Sequence, residues 1–193
     1  MRIIAATKNN GKIREIAEIL GELDIEVVSQ ADAGIDVEIL ETGTTFVENA
    51  RIKAQAVSLL CDEAVLADDS GLCVDALDGA PGVFSARYSG ENATDSENTQ
   101  KLLSALSGVT NRDAYFESAI VLIFPDGREL CASGRVAGRI TTEPYGSSGF
   151  GYDPVFFSNE LGKTFGEATD EEKNKVSHRA RALKELFELL KAE

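Results

Sequence analysis

The chain has 193 residues, 43% of them hydrophobic and 27% charged, a balance that belongs to a globular fold rather than a disordered or fibrous one. Its 33 acids against 19 Lys and Arg leave a net charge of -14, which argues against nonspecific binding to nucleic-acid backbone or anionic lipid, so an anionic ligand needs a local basic pocket or a cation. No run approaches the roughly 18 apolar residues of a membrane span and Met1 leads directly into strand-like sequence without a signal-peptide pattern, so a soluble cytoplasmic protein with no membrane or nucleic-acid partner is expected. Cys61, Cys73 and Cys131 are odd in number and lack a C-x-x-C pair, which argues against a disulfide framework or a zinc knuckle and for small core residues. The single histidine, His178, excludes a metal site built from several imidazoles.

In chain order, Arg2 to Thr7 reads as a buried strand and Lys12 to Leu23 as a helix, because Ile13, Ile16, Ala17, Leu20 and Leu23 recur at helical spacing. Ile25 to Ser29 is a second short strand. Thr45 and Glu48 form a capping-box pattern that opens a helix to about Leu60. Val65 to Asp68 follows as a strand, and then a loop rich in Gly and Pro runs past Gly79–Gly82 and Ser85–Gly90. Thr94 and Glu97 repeat the capping pattern ahead of a helix to about Leu106. Ala114 to Phe124 reads as a long strand, and Pro125, Asp126, Gly127 is a hairpin signal into a partner strand from Arg128 to Ile140. The glycines between Tyr145 and Asp153 preclude regular structure, Pro154 to Phe157 returns to strand, and Ser177 to Lys191 is a last helix carrying Ala182, Leu183, Leu186, Leu189 and Leu190. With no repeat, low-complexity tract or linker, residues 1–193 are expected to form a single α/β domain, a mixed β-sheet flanked by helices in two closely joined lobes.

The most informative residues are the adjacent acids Asp68 and Asp69, where an apolar run meets Ser70 and Gly71. Side chains alternate along a strand, so the two carboxylates start on opposite faces and can take different tasks, one on a metal and one on a water. The structural alternative is a solvated acidic turn. Thr7, Lys8, Asn9, Asn10, Gly11 and Lys12 lie where the first strand hands over to the first helix, a place where N–H groups and the positive dipole end can hold phosphate, with Lys12 as a point charge. Alternatively Asn9 or Asn10 merely caps the helix, and Ala6 stands where a P-loop has its first glycine. Glu41 precedes a helix that carries Asn49 and Lys53 on one face, so it either ligates a cation near the helix start or is solvated. Ser177 can cap the final helix and place His178 and Arg179 in its first turn, where cations oppose the dipole at a cost of about 0.3–1 kcal/mol.

Taken together, T-x-N-x-x-K at Thr7, Asn9 and Lys12, E-T-G-x-T-F-x-E-N-A from Glu41, A-D-D-S-G-L from Ala67, G-A-P-G at Gly79, S-A-R-Y-S-G at Ser85, G-F-G-Y-D-P from Gly149 and S-H-R at Ser177 resemble the inosine triphosphate pyrophosphatase family. The resemblance covers essentially the whole chain. It implies an elongated α/β fold whose central mixed sheet joins two lobes with the active site in the cleft between them, and a homodimer. It also implies hydrolysis of the non-standard purine triphosphates ITP, dITP and XTP to monophosphate and pyrophosphate. On the same ground Thr7 to Lys12 would cradle the triphosphate, with Lys53 and Ser70 as further phosphate contacts. Glu41, Asp68 and Asp69 would form the Mg²⁺ site, Glu41 and Asp68 holding the ion and Asp69 acting as general base. Phe150, Gly151, Tyr152, Asp153, Lys173, His178 and Arg179 would recognise the nucleotide and its base. An all-oxygen ligand set suits Mg²⁺ better than zinc. Donors such as Lys173 and Arg179 would pair with the C6 oxygen of hypoxanthine or xanthine and be left unpaired by adenine. Two rivals stay open: a nucleotide sensor without turnover, and a phosphatase that releases orthophosphate.

Overall fold

The computed structural model describes residues 1–192. Its strands are β1 (Arg2–Ala5), β2 (Glu26–Ser29), β3 (Ala64–Val74), β4 (Asp113–Ile123), β5 (Glu129–Ile140), β6 (Phe156–Ser158) and β7 (Lys163–Thr164). The helices are α1 (Asn10–Gly21), α2 (Phe46–Ser58), α3 (Asp95–Ala105), α4 (Asp170–Val176) and α5 (His178–Lys191), with short 3-10 turns at Asp75–Leu77, Gly82–Arg87 and Asp153–Val155. The strands form one seven-stranded sheet in the order β2-β1-β3-β4-β5-β6-β7. It is mixed: β1 runs parallel to both β2 and β3, whereas β5, β6 and β7 pair antiparallel. The expected α/β mixed sheet with flanking helices is therefore present. Among the described residues no helix is long and apolar enough to cross a membrane.

Contacts divide the chain into two compact units, one made of Met1–Asp69, Ser118–Gly134 and the segment from Arg179 onward, the other of Ser70–Glu117 and Arg135–His178. In the first unit the strands have period 2, and each face buries its own core. Ile3, Leu66, Ile120 and Leu122 pack with Ile16 and Leu20 of α1 and Leu183 and Leu186 of α5. Their neighbours Ile4, Val65, Ala67, Val121 and Ile123 point the other way and pack with Ala50, Ala54 and Val57 of α2. Strands apolar at every position are what a sheet covered on both faces demands. The second unit has a single core of Leu72, Val74, Leu102, Phe116, Val136, Tyr152, Phe156 and Phe165, among others.

Helix starts follow the local sequence closely. Thr45, Thr94 and Thr169 each accept from the backbone of a glutamate three residues on, and each glutamate reaches back to the cap, so α2, α3 and α4 open on complete capping boxes. The Pro125–Gly127 turn closes as anticipated, Phe124 N–H donating to the Arg128 carbonyl at 2.9 Å.

Four local readings need correction. β3 does not stop at Asp68 but continues through both acids to Val74, because Leu72, Cys73 and Val74 are buried and keep the backbone in the sheet. α1 ends at Gly21, leaving Leu23 45% exposed beyond it. α4, seven residues opened by the Thr169 box, is too short to show a helical repeat in the sequence. Of the cysteines only Cys73 is buried; Cys131 is exposed, on β5, where alternate residues face solvent.

Candidate active site

The two-faced packing decides where the adjacent acids go. Asp68 follows Leu66 onto the face covered by α1 and α5, and Asp69 follows Ala67 onto the face covered by α2. Both are buried.

On the first face Asp68 is surrounded by donors. One carboxylate oxygen accepts from the Ser118 hydroxyl. The other receives the Lys12 ammonium at 2.8 Å and the Arg179 guanidinium at 3.0 Å. Arg179 in turn is paired with Glu15 of α1, so a buried chain runs Glu15–Arg179–Asp68–Lys12. Burial alone would push the Asp68 carboxyl up; the charges of Arg179 and Lys12, with hydrogen bonds from Lys12 and Ser118, outweigh it and hold the group well below the usual carboxylate range. Lys12 is pushed below the usual ammonium range by burial, against the pull of Asp68.

On the second face the arrangement is sparser. The Asp69 carboxylate has one oxygen 2.8 Å from the Lys53 ammonium, and its other oxygen, Oδ2, is buried with no hydrogen-bond partner among the described residues. Lys53, from α2, also reaches Glu41 at 3.4 Å, so a single ammonium bridges two carboxylates. Burial raises the Asp69 carboxyl above its ordinary value; Lys53 and Lys12 oppose that rise, and Glu41 adds to it. Neighbours on one strand are thus driven in opposite directions, the pattern that separates a permanent anion from a proton acceptor.

The turn from β1 to α1 is built around Asn9, whose side chain accepts from Lys12 N–H at 3.1 Å and caps the helix, while Thr7 Oγ1 accepts from Asn9 N–H at 3.1 Å. No acid stands in the first turn of α1, which leaves that end to an anion. Asn10 and Gly11 open the helix. Lys8 turns to the surface and pairs with Asp36 at 3.1 Å. Ser70 follows Asp69 on β3.

In the second unit, the glycine-rich segment is fastened by side chains rather than by regular structure. Asp153 Oδ2 accepts from Phe150 N–H at 2.9 Å and meets the Lys173 ammonium at 2.6 Å, both side chains nearly fully buried. The same ammonium lies 4.9 Å from the Phe150 ring centre and 5.4 Å from that of Phe165. Gly149 has a φ of +76°, and a Cβ there would run into the Asp153 carboxylate, so glycine is required twice over. Gly151 N–H donates to Asp95 at 2.7 Å and the Tyr152 hydroxyl to the Ser85 carbonyl at 2.8 Å. His178 is buried and stacks on Phe116, with ring centres 4.8 Å apart.

The structure therefore gathers Lys12, Lys53, Glu41, Asp68, Asp69 and Arg179 in one unit, and Phe150, Gly151, Tyr152, Asp153, Lys173 and His178 in the other. Arg179, expected to read the base, has its guanidinium on Glu15 and Asp68. Three participants were missed. Ser118 is a hydroxyl at the head of a wholly buried run in β4, Glu15 is an acid three residues after Lys12 on the apolar side of α1, and Asp95 is at the first turn of α3. A polar residue inside an apolar pattern was the available signal for the first two.

One unit thus carries acids on opposite faces of one strand beside a capped strand-to-helix turn with no acid in its first helical turn, and the other carries a buried Lys–Asp pair beside an aromatic ring. Residues 3–189 match the model of the Ham1 family, and the chain belongs to that family. It is 47% identical to a dITP/XTP pyrophosphatase of Shigella flexneri, the alignment covering 98% of each chain, and 48% identical to a dITP/XTP pyrophosphatase of Bacillus subtilis (strain 168), covering 98% of this chain and 96% of that one. The solved structure of a HAM1 protein from Coxiella burnetii superposes with a TM-score of 0.88 at 42% identity over the full length of both.

Proposed function

We propose that the chain hydrolyses the non-standard purine nucleoside triphosphates ITP, dITP and XTP to the monophosphate and pyrophosphate with the help of Mg²⁺, as a cytoplasmic homodimer that removes deaminated purines from the nucleotide pool. Support for the substrate class comes from the similarity to proteins named dITP/XTP pyrophosphatase over almost the whole chain. Location and assembly rest on the family resemblance alone. The observation that carries the chemistry is Asp69, a buried carboxylate with one oxygen on a cation and the other without a partner among the described residues.

Among the described residues no three His, Cys, Asp or Glu side chains stand together as a ready-made metal cluster. The donor set nevertheless fits Mg²⁺: Glu41 and Asp69 are hard oxygen ligands that already share one cation, Lys53. Ser118, Lys12 and Arg179 all donate to Asp68, which supports reading it as their anchor, with Glu41 and Asp69, rather than Glu41 and Asp68 as the resemblance implies, as the pair that would hold the ion. Bound there, Mg²⁺ would neutralise phosphate oxygens in the developing transition state. The acid-free start of α1 and Lys12 receive the triphosphate, and Lys53 and Ser70 add phosphate contacts. Asp69 Oδ2 takes the proton of a water that attacks the α-phosphorus; the α-β phosphoanhydride bond breaks and pyrophosphate leaves. A raised carboxyl is the better base, and the unpartnered oxygen is the one with capacity for that proton. Phe150 gives the base a face to stack on, and Lys173, held by Asp153, with His178 supplies donors to the C6 oxygen.

The test is release of pyrophosphate and of orthophosphate from ITP, XTP, dITP, ATP and GTP, with and without Mg²⁺. Pyrophosphate from the first three only is expected. Equal turnover of all five, or orthophosphate alone, overturns the reading. Asp69→Asn should keep nucleotide binding and lose roughly 10²–10⁴-fold in turnover.

A further inference from the structure

Glu41 belongs to residues 36–43, which are neither helix nor strand, so its carboxylate is placed only by what grips that segment. Three successive backbone donors just after it end on side chains of α2. Thr44 and Thr45 N–H groups go to Glu48 Oε2 at 2.7 and 3.1 Å, and Gly43 N–H goes to Asn49 Oδ1 at 2.8 Å. Glu48 is the glutamate of a capping box that α3 and α4 share, so its part is explained by starting the helix. The part of Asn49 is not. We infer that Asn49 is a positioning residue for Glu41, fixing the segment through Gly43 so that the carboxylate is held beside Lys53 and Asp69. This rests on the reading of Glu41 as a cation ligand.

Asn49 is 0% exposed, yet its amide Nδ2 has no partner among the described residues. A desolvated, unsatisfied donor costs about 1–3 kcal/mol, a cost that an apolar side chain at this helix position would not carry. What the amide offers in return is its oxygen. The corresponding position of α3 provides a contrast: Asn98, also one residue after the capping glutamate, uses both ends, accepting from Ser89 N–H at 2.7 Å and donating to the Ala86 carbonyl at 3.0 Å. That is a fully satisfied structural pin; Asn49 uses only its acceptor.

Gly43 supports the same conclusion from the other side. Its φ is outside the left-handed region, so the backbone does not call for glycine. Close approach does: a Cβ there would lie 2.6 Å from Asn49 Oδ1, 2.7 Å from Glu48 Cβ and 2.9 Å from Asn49 N. One turn further along α2, Lys53 meets Glu41 itself. The helix thus grips the segment at Gly43 and the carboxylate at its end.

The test compares Asn49→Leu, which keeps the shape and loses the acceptor, with Asn49→Asp, which keeps an oxygen, and Gly43→Ala, which pushes the segment away from α2 while every residue of the helix is unchanged. Hydrogen exchange of the Gly43 amide should accelerate at least tenfold in Asn49→Leu and Gly43→Ala and remain slow in Asn49→Asp. Binding of Mn²⁺ without nucleotide, followed by its electron paramagnetic resonance signal, should weaken roughly 10–100-fold in Asn49→Leu, the range typical of losing a partner behind a metal ligand. In a Glu41→Gln background the same change should alter Mn²⁺ binding less than about twofold, because a residue acting through Glu41 has nothing left to act on. Unchanged Gly43 exchange in Asn49→Leu, or a loss of Mn²⁺ binding that persists in the Glu41→Gln background, overturns the inference. A lowered melting temperature with unchanged Mn²⁺ binding does so too, since a structural pin alone gives that result. These readouts need no turnover, so failure of the wild-type chain to release pyrophosphate would count against the proposed function and leave this inference to be decided by exchange and metal binding.

Discussion

Neutralising the two adjacent acids should have very unequal consequences for the fold, although both lie on one strand and both are buried. Asp68→Asn removes the charge that Lys12 meets at 2.8 Å and Arg179 at 3.0 Å, taking a carboxylate from two cations in a buried setting while Glu15 stays on Arg179. Breaking a buried pair from one side costs about 3–5 kcal/mol, because the remaining charge is stranded rather than because the pair itself is strong. At about 2–4 °C per kcal/mol for a chain of this size, the melting temperature should fall by roughly 6–20 °C. Asp69→Asn keeps an amide oxygen for Lys53, and Lys53 keeps Glu41. Because burial raises the Asp69 carboxyl, its charge is disfavoured in the folded state, so removing it should shift stability by no more than about 1 kcal/mol. Thermal unfolding by circular dichroism, with pyrophosphate release measured on the same preparations, separates the two: Asp68→Asn loses stability and turnover, Asp69→Asn loses turnover only. Equal destabilisation by both, or an Asp68→Asn variant that melts with the wild type, would refute the division between anchor and base.

Three further outcomes are expected. The Asp68 carboxyl titrates lower in the folded than in the unfolded chain, where it lies near 3.9, so its contribution is fully present above about pH 5 and is lost as pH falls through the lowered folded value; acid urea titrations should therefore be shallower for Asp68→Asn than for the wild type, and parallel curves would contradict this. Lys173→Met strands the Asp153 carboxylate and should cost about 3–5 kcal/mol, while the double variant with Asp153→Asn recovers part of that loss; additive losses in a chemical-denaturation cycle would mean that the 2.6 Å pair is not coupled. Leu186→Ala, at a position with no solvent exposure in the α1–α5 core, should lower stability by about 2–5 kcal/mol in the same assay, and a loss below 1 kcal/mol would show that the core is not packed as described.

Much of this was legible before any coordinates. The strand-to-helix turn at Thr7–Lys12, the capping boxes at Thr45 and Thr94 and the hairpin at Pro125–Gly127 are local devices, in which the partners lie within a few residues and the sequence names them directly. The alternation along a strand was enough to say that Asp68 and Asp69 diverge. It was not enough to say that the strand continues past them, because the charges that let two acids stay in a sheet come from Lys12, Lys53 and Arg179, up to 111 residues away.

That distance marks the boundary between the two kinds of information. By itself the sequence determined the α/β class, the caps and turns, the opposite facing of the two acids and, through its motifs, the family. Tertiary structure alone decided that Asp68 is saturated by Ser118, Lys12 and Arg179, that Glu41 and Asp69 share one ammonium, and that Arg179 sits on Glu15 and Asp68. Local rules record backbone conformation and the side a residue faces. Which charge meets which in a low-dielectric interior depends on the helices laid across each face of the sheet, and there the same residue type, an aspartate, is held far below its ordinary range on one side and raised above it on the other.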